Sequence, residues 1–245
     1  MNDFREEVSR RIVTIASDAG LRTATTTFMR ALVAHKYSYN FSWLGRPIIQ
    51  HPQDIVAMQE IIFQAKPDLI IETGIAHGGG LIFYASMLEL LASCGYSNGH
   101  VIGIDIDIRP HNRKAIEEHP MFKRISMIEG SSVDPSVINK VHAKAADKKR
   151  IMVCLDSNHT HDHVLAELNA YGPLVTKGSY LVVFDTIVED MPEDAFPDRP
   201  WGKGNNPKTA VHEWLPQHPE FEIDKSIENK LLITVAPDGY LKRVS

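Results

Sequence analysis

The chain has 245 residues, 43% of them hydrophobic and 23% charged, with a formal net charge of −5. That length fits one large domain or one domain with an extension, and the acidic balance excludes the basic face of a nucleic-acid binder. Cys94 and Cys154 are too few for a disulfide framework or a cysteine-rich metal centre, and both read as small buried hydrophobes in a reducing compartment.

Residues 3–18 and 22–35 carry helical periodicity and charge. The first stretch, "MNDFREEVSRRIVTIAS", lacks the apolar centre of a signal peptide. No apolar run approaches the ~20 residues of a membrane span. A cytoplasmic protein with no membrane partner is expected. The aromatic segment 37–52 is irregular and punctuated by Pro47 and Pro52, and a helix is predicted over 53–65. Residues 1–66 therefore read as a helical cap or extension, and 67–245 as the main domain.

From Asp68 a strand–helix alternation begins. Strands are predicted at 68–73, 100–105, 124–129, 150–156 and 178–185. Helices are predicted at 79–93, 111–119, 135–147 and 161–171. Short apolar strands separated by helices imply an α/β fold with a parallel sheet covered on both faces. A long proline- and glycine-rich segment follows Asp185, then a helix over 208–217. The end reads as two strands around a turn near Glu228-Asn229. Such an antiparallel pair closing a parallel sheet is the ending of a class I, Rossmann-like methyltransferase sheet.

In open α/β sheets ligands sit beyond the carboxyl ends of the strands. The first such end reads Glu72-Thr-Gly74-Ile-Ala76-His77-Gly78-Gly79-Gly80. The middle glycine of the dinucleotide fingerprint is replaced by Ala76. A pyrophosphate wants amide donors and no adjacent anion, whereas S-adenosylmethionine (SAM) presents an α-ammonium and a sulfonium. Glu72 with the missing glycine therefore favours SAM, with Gly74 and Gly78 allowing close approach. A turn that only packs a helix on a strand, or a dinucleotide loop, are the competing readings. Asp105, ending the second strand, suits both ribose hydroxyls. Ser131 and Ser132 stand where an adenine edge would lie, although Ser132 also reads as a helix N-cap before Pro135.

Asp156 and Asp185 end two strands expected to be neighbours. Two converging carboxylates repel unless a cation or proton lies between them. Oxygen ligands without cysteine suit Mg²⁺ or Mn²⁺. His159, three residues after Asp156, is placed to remove a proton from a hydroxyl whose pKa the metal lowers. This set of parts describes methyl transfer to oxygen. In "HTHDH", His161-Asp162-His163 tempts a zinc or iron assignment, and on a helix His159 and His163 would share a face, but His161 and His163 read more simply as surface or capping residues. His77 is either a hydrogen-bonding loop residue or exposed.

The segments "FSWLGRPIIQHPQDIVAMQEII", "ETGIAHGGG", "LDSNHTHDHV" and "RPWGKGNNPKTAV" together resemble the cephalosporin hydroxylase family. That family looks like SAM- and Mg²⁺-dependent O-methyltransferases, related to macrolide sugar O-methyltransferases and more distantly to catechol O-methyltransferases. The likeness spans roughly Tyr37 to Val235. It implies SAM at Glu72, Gly74, Gly78 and Asp105, metal at Asp156 and Asp185, and a base at His159. Close relatives have Glu-Asp at the fifth strand end; here Phe184 precedes Asp185. The third protein ligand is then Thr186, at the position of the catechol-type amide, or water.

The expected function is metal-dependent O-methyl transfer to a small hydroxylated acceptor, such as a sugar or secondary metabolite. A metabolite oxygenase and a non-catalytic SAM-fold binder are the alternatives. Trp201, Lys203, Asn205, Asn206 and Lys208 of the long segment are expected to face the acceptor or an oligomer contact. Tyr37, Tyr39 and Trp43 are expected to cover the cofactor or build a dimer interface, and a homo-oligomer is expected.

Overall fold

The computed structural model describes residues 2–96 and 98–245. In chain order, helices α1 (Asn2–Ser17) and α2 (Ala19–Ala34) precede a short hairpin, β1 (Phe41–Trp43) and β2 (Arg46–Ile48), and helix α3 (Pro52–Ala65). The alternating part follows: β3 (Leu69–Thr73), α4 (Gly79–Ser93), β4 (His100–Asp105), α5 (Pro110–Glu117), β5 (Ile125–Glu129), α6 (Pro135–Ala145), β6 (Ile151–Leu155), α7 (His161–Tyr171) and β7 (Tyr180–Val183). The chain ends with α8 (Pro207–Trp214), β8 (Phe221–Ile223), α9 (Lys225–Leu231) and β9 (Tyr240–Arg243).

Seven strands form one sheet in the order β5-β4-β3-β6-β7-β9-β8. The first five are parallel, and β9 runs antiparallel to both β7 and β8. The mostly parallel sheet with its antiparallel C-terminal pair is the arrangement the sequence predicts. All five residues of β3 are buried. Leu69 and Ile71 enter the core on one face of the sheet and Ile70 the core on the other, as the two-residue period of a strand requires. From β3 the chain winds outward to β4 and β5, then returns to β6 on β3's other side. This switch point opens a crevice beyond the carboxyl ends of β3 and β6.

The end of the chain differs from expectation. Residues around Glu228-Asn229 form α9 rather than a hairpin turn. The Asp224 carboxylate caps this helix at the Ser226 amide, and Lys225 pairs with Glu228 one turn on. These local bonds favour a helix over a turn. Cys94 is also not buried: it caps the C-terminus of α4 and is exposed, whereas Cys154 lies buried in β6.

The N-terminal segments contribute to the same core. Ile48 of β2 and Ala57, Met58, Ile61 and Ile62 of α3 are buried against the sheet. Trp43 of β1 donates from Nε1 to Ser86 Oγ at 2.9 Å and meets Phe83 edge-on, both residues lying on α4. Asp54 of α3, fully buried, holds the chain's end. Its Oδ1 accepts from Thr234 Oγ1 at 2.5 Å and from the Tyr240 hydroxyl at 2.8 Å, and its Oδ2 accepts from the Val235 amide at 3.0 Å.

Burial pushes the Asp54 carboxyl from 3.8 up to about 6, against the pull of its three donors. The folded chain therefore binds this proton more tightly than the unfolded chain. Stability should fall as pH rises from 3.8 to about 6, by about 3 kcal/mol at most from this group. Asp54→Asn should remove that component, so the stability difference between variant and wild type should drift in the variant's favour across the window. Urea unfolding at stepped pH measures it; a constant difference would show that Asp54 does not titrate there.

Candidate functional site

The crevice at the switch point is a cavity of about 740 Å³, inside the ~300–1,000 Å³ range of small-molecule sites. Its floor comes from the ends of β3 and β6. Its walls come from α2, the segment after β2, the start of α4 and the segment after β7.

Glu72, the fourth residue of β3, is 4% exposed and faces this cavity. A side chain at Gly80 would place its Cβ 2.3 Å from Glu72 Oε1, so the glycine makes room for the carboxylate beneath the α4 N-terminus. Glu72 Oε2 is buried and has no hydrogen-bond partner. Burial drives its carboxyl well above the usual range, the Asp105 charge adds to this, and a hydrogen bond from Tyr84 opposes it. An acid in this state lacks a cation or donor. The ammonium of SAM is such a group, and the residues present fit it.

Gly74 and Gly78 act through the backbone. Gly74 has φ +91°, and a Cβ there would lie 2.0 Å from the Asp156 carbonyl oxygen. It thus lets the β3 loop pass against the end of β6. Gly78, at φ +84°, leaves space for Ile116 of α5 and caps α4. Ala76 takes φ +47° without being glycine. Asp105 steadies that conformation: its Oδ2 accepts from the Ile75 and Ala76 amides at 2.8 and 3.1 Å, and its Oδ1 from the Asp107 amide at 3.1 Å. Gly74 lines the cavity, whereas Gly78 and Asp105 lie behind its wall. Arg46 latches the loop from the hairpin side, donating to the His77 carbonyl and to Asn112, which in turn donates to the Ala76 carbonyl.

Ser131 and Ser132 are likewise off the cavity wall. Ser132 is buried, its hydroxyl meets His163 Nε2 at 3.0 Å, and its carbonyl accepts from the Tyr171 hydroxyl. The N-cap of α6 is Asp134, not Ser132. This corrects the capping alternative; the Ser132 hydroxyl joins a buried network with His163.

Asp156 and Asp185 converge with His159. One ligand atom from each lies within 4.8 Å of the other two, a grouping able to hold a metal ion. His159 Nε2 is 3.2 Å from Asp185 Oδ2. Asp185 has φ +56°, the left-handed conformation aspartate tolerates better than most residues. Asp156 is pushed well above the usual carboxylate range by burial first and by the Asp185 charge second, with Glu72 adding to both. Two acids held together at that expense fit a hard divalent cation between them. Thr186 does not belong to this group: it is fully buried and its hydroxyl donates to the Pro237 carbonyl at 2.6 Å. Phe184 is buried and presents its ring to the cavity.

The other histidines separate from His159. His159 lies before α7 rather than on it, so it does not share a helical face with His163. His161 meets Thr209 Oγ1 at 2.8 Å and Glu213 at 3.2 Å, and His163 meets Ser132. Among the described residues no second histidine joins the two acids, which leaves an iron centre of two histidines and a carboxylate without its second nitrogen.

The long segment is tied down by the residues expected to face an acceptor. Asn206, fully buried, caps α8 and donates to Glu189 and the Gly202 carbonyl. Asn205 accepts from the His161 amide, and Lys208 pairs with Asp190. Trp201 does reach the cavity, edge-on to His159 with ring centres 5.1 Å apart.

Three cavity residues were not singled out in the sequence: Gln50, His51 and Asp54. Gln50 Nε2 donates to Asp156 Oδ2 at 3.2 Å, while its Oε1 is buried without a partner. His51 is 5% exposed with Nδ1 unpartnered, and burial lowers its pKa. Their signal was present in the segment "IIQHPQD", which is polar and proline-punctuated between two apolar elements.

A model of the family described as rhamnosyl O-methyltransferase/CmcI matches residues 35–244. The rhamnosyl O-methyltransferase of Mycobacterium tuberculosis is 30% identical over 220 residues, which span 85% of this chain and 83% of that enzyme. Among solved structures, CmcI with Mg and SAM aligns with a TM-score of 0.58 at 18% identity, covering 84% of this chain and 78% of that one. The TDP-rhamnose 3′-O-methyltransferase of calicheamicin biosynthesis aligns with a TM-score of 0.55 at 17% identity, covering 92% and 95%. The structural likenesses establish a shared SAM-methyltransferase fold, and the sequence match places the chain in the rhamnosyl O-methyltransferase/CmcI family.

Proposed function

We propose that this protein is a metal-dependent O-methyltransferase that moves the methyl group of SAM to a hydroxyl of a sugar or related secondary-metabolite acceptor. The observation that carries this reading is the convergence of Asp156, His159 and Asp185 within 4.8 Å in the cavity where Glu72 keeps one buried oxygen without a partner. The names of its relatives, a rhamnosyl and a TDP-rhamnose O-methyltransferase, support a sugar acceptor.

Glu72 and the Gly74 turn hold SAM, which supplies the methyl group; Gly78, Asp105, Ser131 and Ser132 support its site from behind the wall. Asp156 and Asp185 hold Mg²⁺ or Mn²⁺, whose Lewis acidity lowers the pKa of an acceptor hydroxyl. His159 takes that proton, with Asp185, 3.2 Å from its Nε2, steadying the imidazolium that results. Trp201, set edge-on to His159, restricts the imidazole's rotation and screens it from water. Residues 1–66 act as a cap on residues 67–245, because Met29, Leu32 and Tyr37 complete the cavity wall. Among the described residues no helix is long and apolar enough to cross a membrane. The exposed Phe4, Val13, Leu21 and Phe28 of the N-terminal helices suit contact with a second copy.

The test is methyl transfer from labelled SAM to a panel of hydroxylated acceptors, with Mg²⁺ present and with excess chelator. Transfer should depend on the metal, and retained transfer in chelator would remove the metal role. Asp156→Asn should weaken divalent-ion binding by about 10- to 100-fold and leave SAM affinity within about twofold by calorimetry. Glu72→Gln should do the reverse. Loss of a charge-assisted contact worth about 1.5–3 kcal/mol should weaken SAM by at least about tenfold. The melting temperature of the free protein should rise, because a buried unpaired acid has been removed. Unchanged SAM affinity would detach Glu72 from the cofactor. His159→Ala should lower turnover by about 10²–10⁴, with partial recovery as pH rises and hydroxide replaces the imidazole. A rate loss independent of pH would point to another base.

A further inference from the structure

Two carboxylates are few protein ligands for a divalent ion, and the positions flanking Asp185 supply no third. Phe184 is apolar, and the Thr186 hydroxyl is spent on the Pro237 carbonyl. His159, as the proton acceptor, must keep its nitrogen lone pair free. Among the described residues, one further side chain hydrogen-bonds to these acids. The Gln50 side-chain amide lies against Asp156, with Nε2 3.2 Å from Asp156 Oδ2, and its Oε1 is buried with no partner. A half-turn about the terminal side-chain bond exchanges oxygen and nitrogen without moving the rest of the residue.

We propose that Gln50 is the third protein ligand of the metal, coordinating through its amide oxygen. The proposal rests on the metal-dependent reading above. Adjacent oxygens around an octahedral ion with bonds of ~2.1 Å are ~3.0 Å apart, and the Gln50 amide end already stands at nearly that distance from Asp156. In the free protein the nitrogen end faces the carboxylate and offers it a donor. With a cation between the acids, the oxygen end faces the cation instead. Asp156 thus has a partner in both states: the amide N–H in the free protein and the cation in the loaded one.

The segment that carries Gln50 is fixed well enough for the task. Arg46 is bonded to the glycine loop. The Pro47 carbonyl and Ile48 Cα lie so close to Gly79 that a Cβ there would be 2.1 and 2.6 Å away. Asp54, four residues beyond Gln50, is held by three hydrogen bonds. An amide is a neutral, hard oxygen donor of the kind Mg²⁺ and Mn²⁺ accept. With two acids and one amide the site has a net charge of zero when a divalent ion is bound.

The experiment uses the full chain loaded with Mn²⁺, comparing wild type, Gln50→Ala and Gln50→Glu. Calorimetry gives affinity, and water-proton relaxation with electron spin-echo spectroscopy in D₂O counts the waters on the bound ion. Gln50→Ala should weaken Mn²⁺ by about tenfold or more and add one water to the ion. Gln50→Glu should bind more tightly than wild type with an unchanged water count. Weakened binding at an unchanged water count would make Gln50 a positioning residue for Asp156 and overturn the proposal. So would a directly bound imidazole nitrogen in wild type with no effect of Gln50→Ala on hydration. Failure of wild type to bind any divalent ion would instead overturn the metal-dependent reading and this inference with it.

Discussion

Acids without counter-charges, gathered where parallel strands end, set the terms for the rest of the molecule. Glu72, Asp156, Asp185 and Asp54 all line one cavity. In a medium of lowered dielectric such charges repel strongly and lose the hydration that would offset it. Asp54 alone has a full set of donors. Glu72 keeps a naked oxygen, and Asp156 rests on one amide. The topology forces this crowding: the switch point makes β3 and β6 neighbours, and Gly74 lets the β3 loop run against the Asp156 backbone. The two apolar cores on either face of the sheet must therefore offset a standing penalty at its edge. Anything that brings positive charge into the cavity relieves that penalty and stabilises the fold by mass action.

The segment from Arg46 to Asp54 works as much on the site as on the core. Arg46 fixes the glycine loop, Gln50 reaches Asp156, His51 faces the cavity, and Asp54 ties down residues 234–240. Apolar residues in the same stretch, Ile48 among them, are buried against the sheet. One short piece of chain thus couples the packing of the N-terminal elements to the placement of the acids. A shift in its register would disturb loop, metal site and C-terminal strand together.

The strand ends and the glycine loop were legible because short continuous apolar runs separated by helices fix where a parallel sheet terminates. Glu72, Asp156 and Asp185 follow from that alone. What stayed hidden depends on side-chain direction, which periodicity does not carry. Asp105 sits at the predicted strand end, yet its carboxylate turns back to the amides of Ile75 and Ala76. Ser132 turns to His163, and Asn206 spends its amide on a capping box and Glu189. Glu228-Asn229 carried a turn signal outweighed by the cap at Asp224 and the Lys225–Glu228 pair. Gln50 had only the polar, proline-punctuated character of its segment to mark it, and it lies 106 positions from the aspartate it touches.

The acids of the cavity and its outer wall come from different parts of the chain. The acids and His159 stand on strand ends, where a shift of one residue would bury or misdirect them. The outer wall comes from α2, through Met29, Leu32 and Val33, and from the segment carrying Phe196 and Trp201. The named residues are apolar or aromatic, and Asp198 and Arg199 of the second segment line the same wall. The second wall is braced from beneath: Glu189 binds the Gly204 amide and Asn206, and Lys208 pairs with Asp190. Trp201 is therefore delivered to His159 by a framework that does not itself touch the cavity. Residues along that outer wall can therefore vary without moving a single acid.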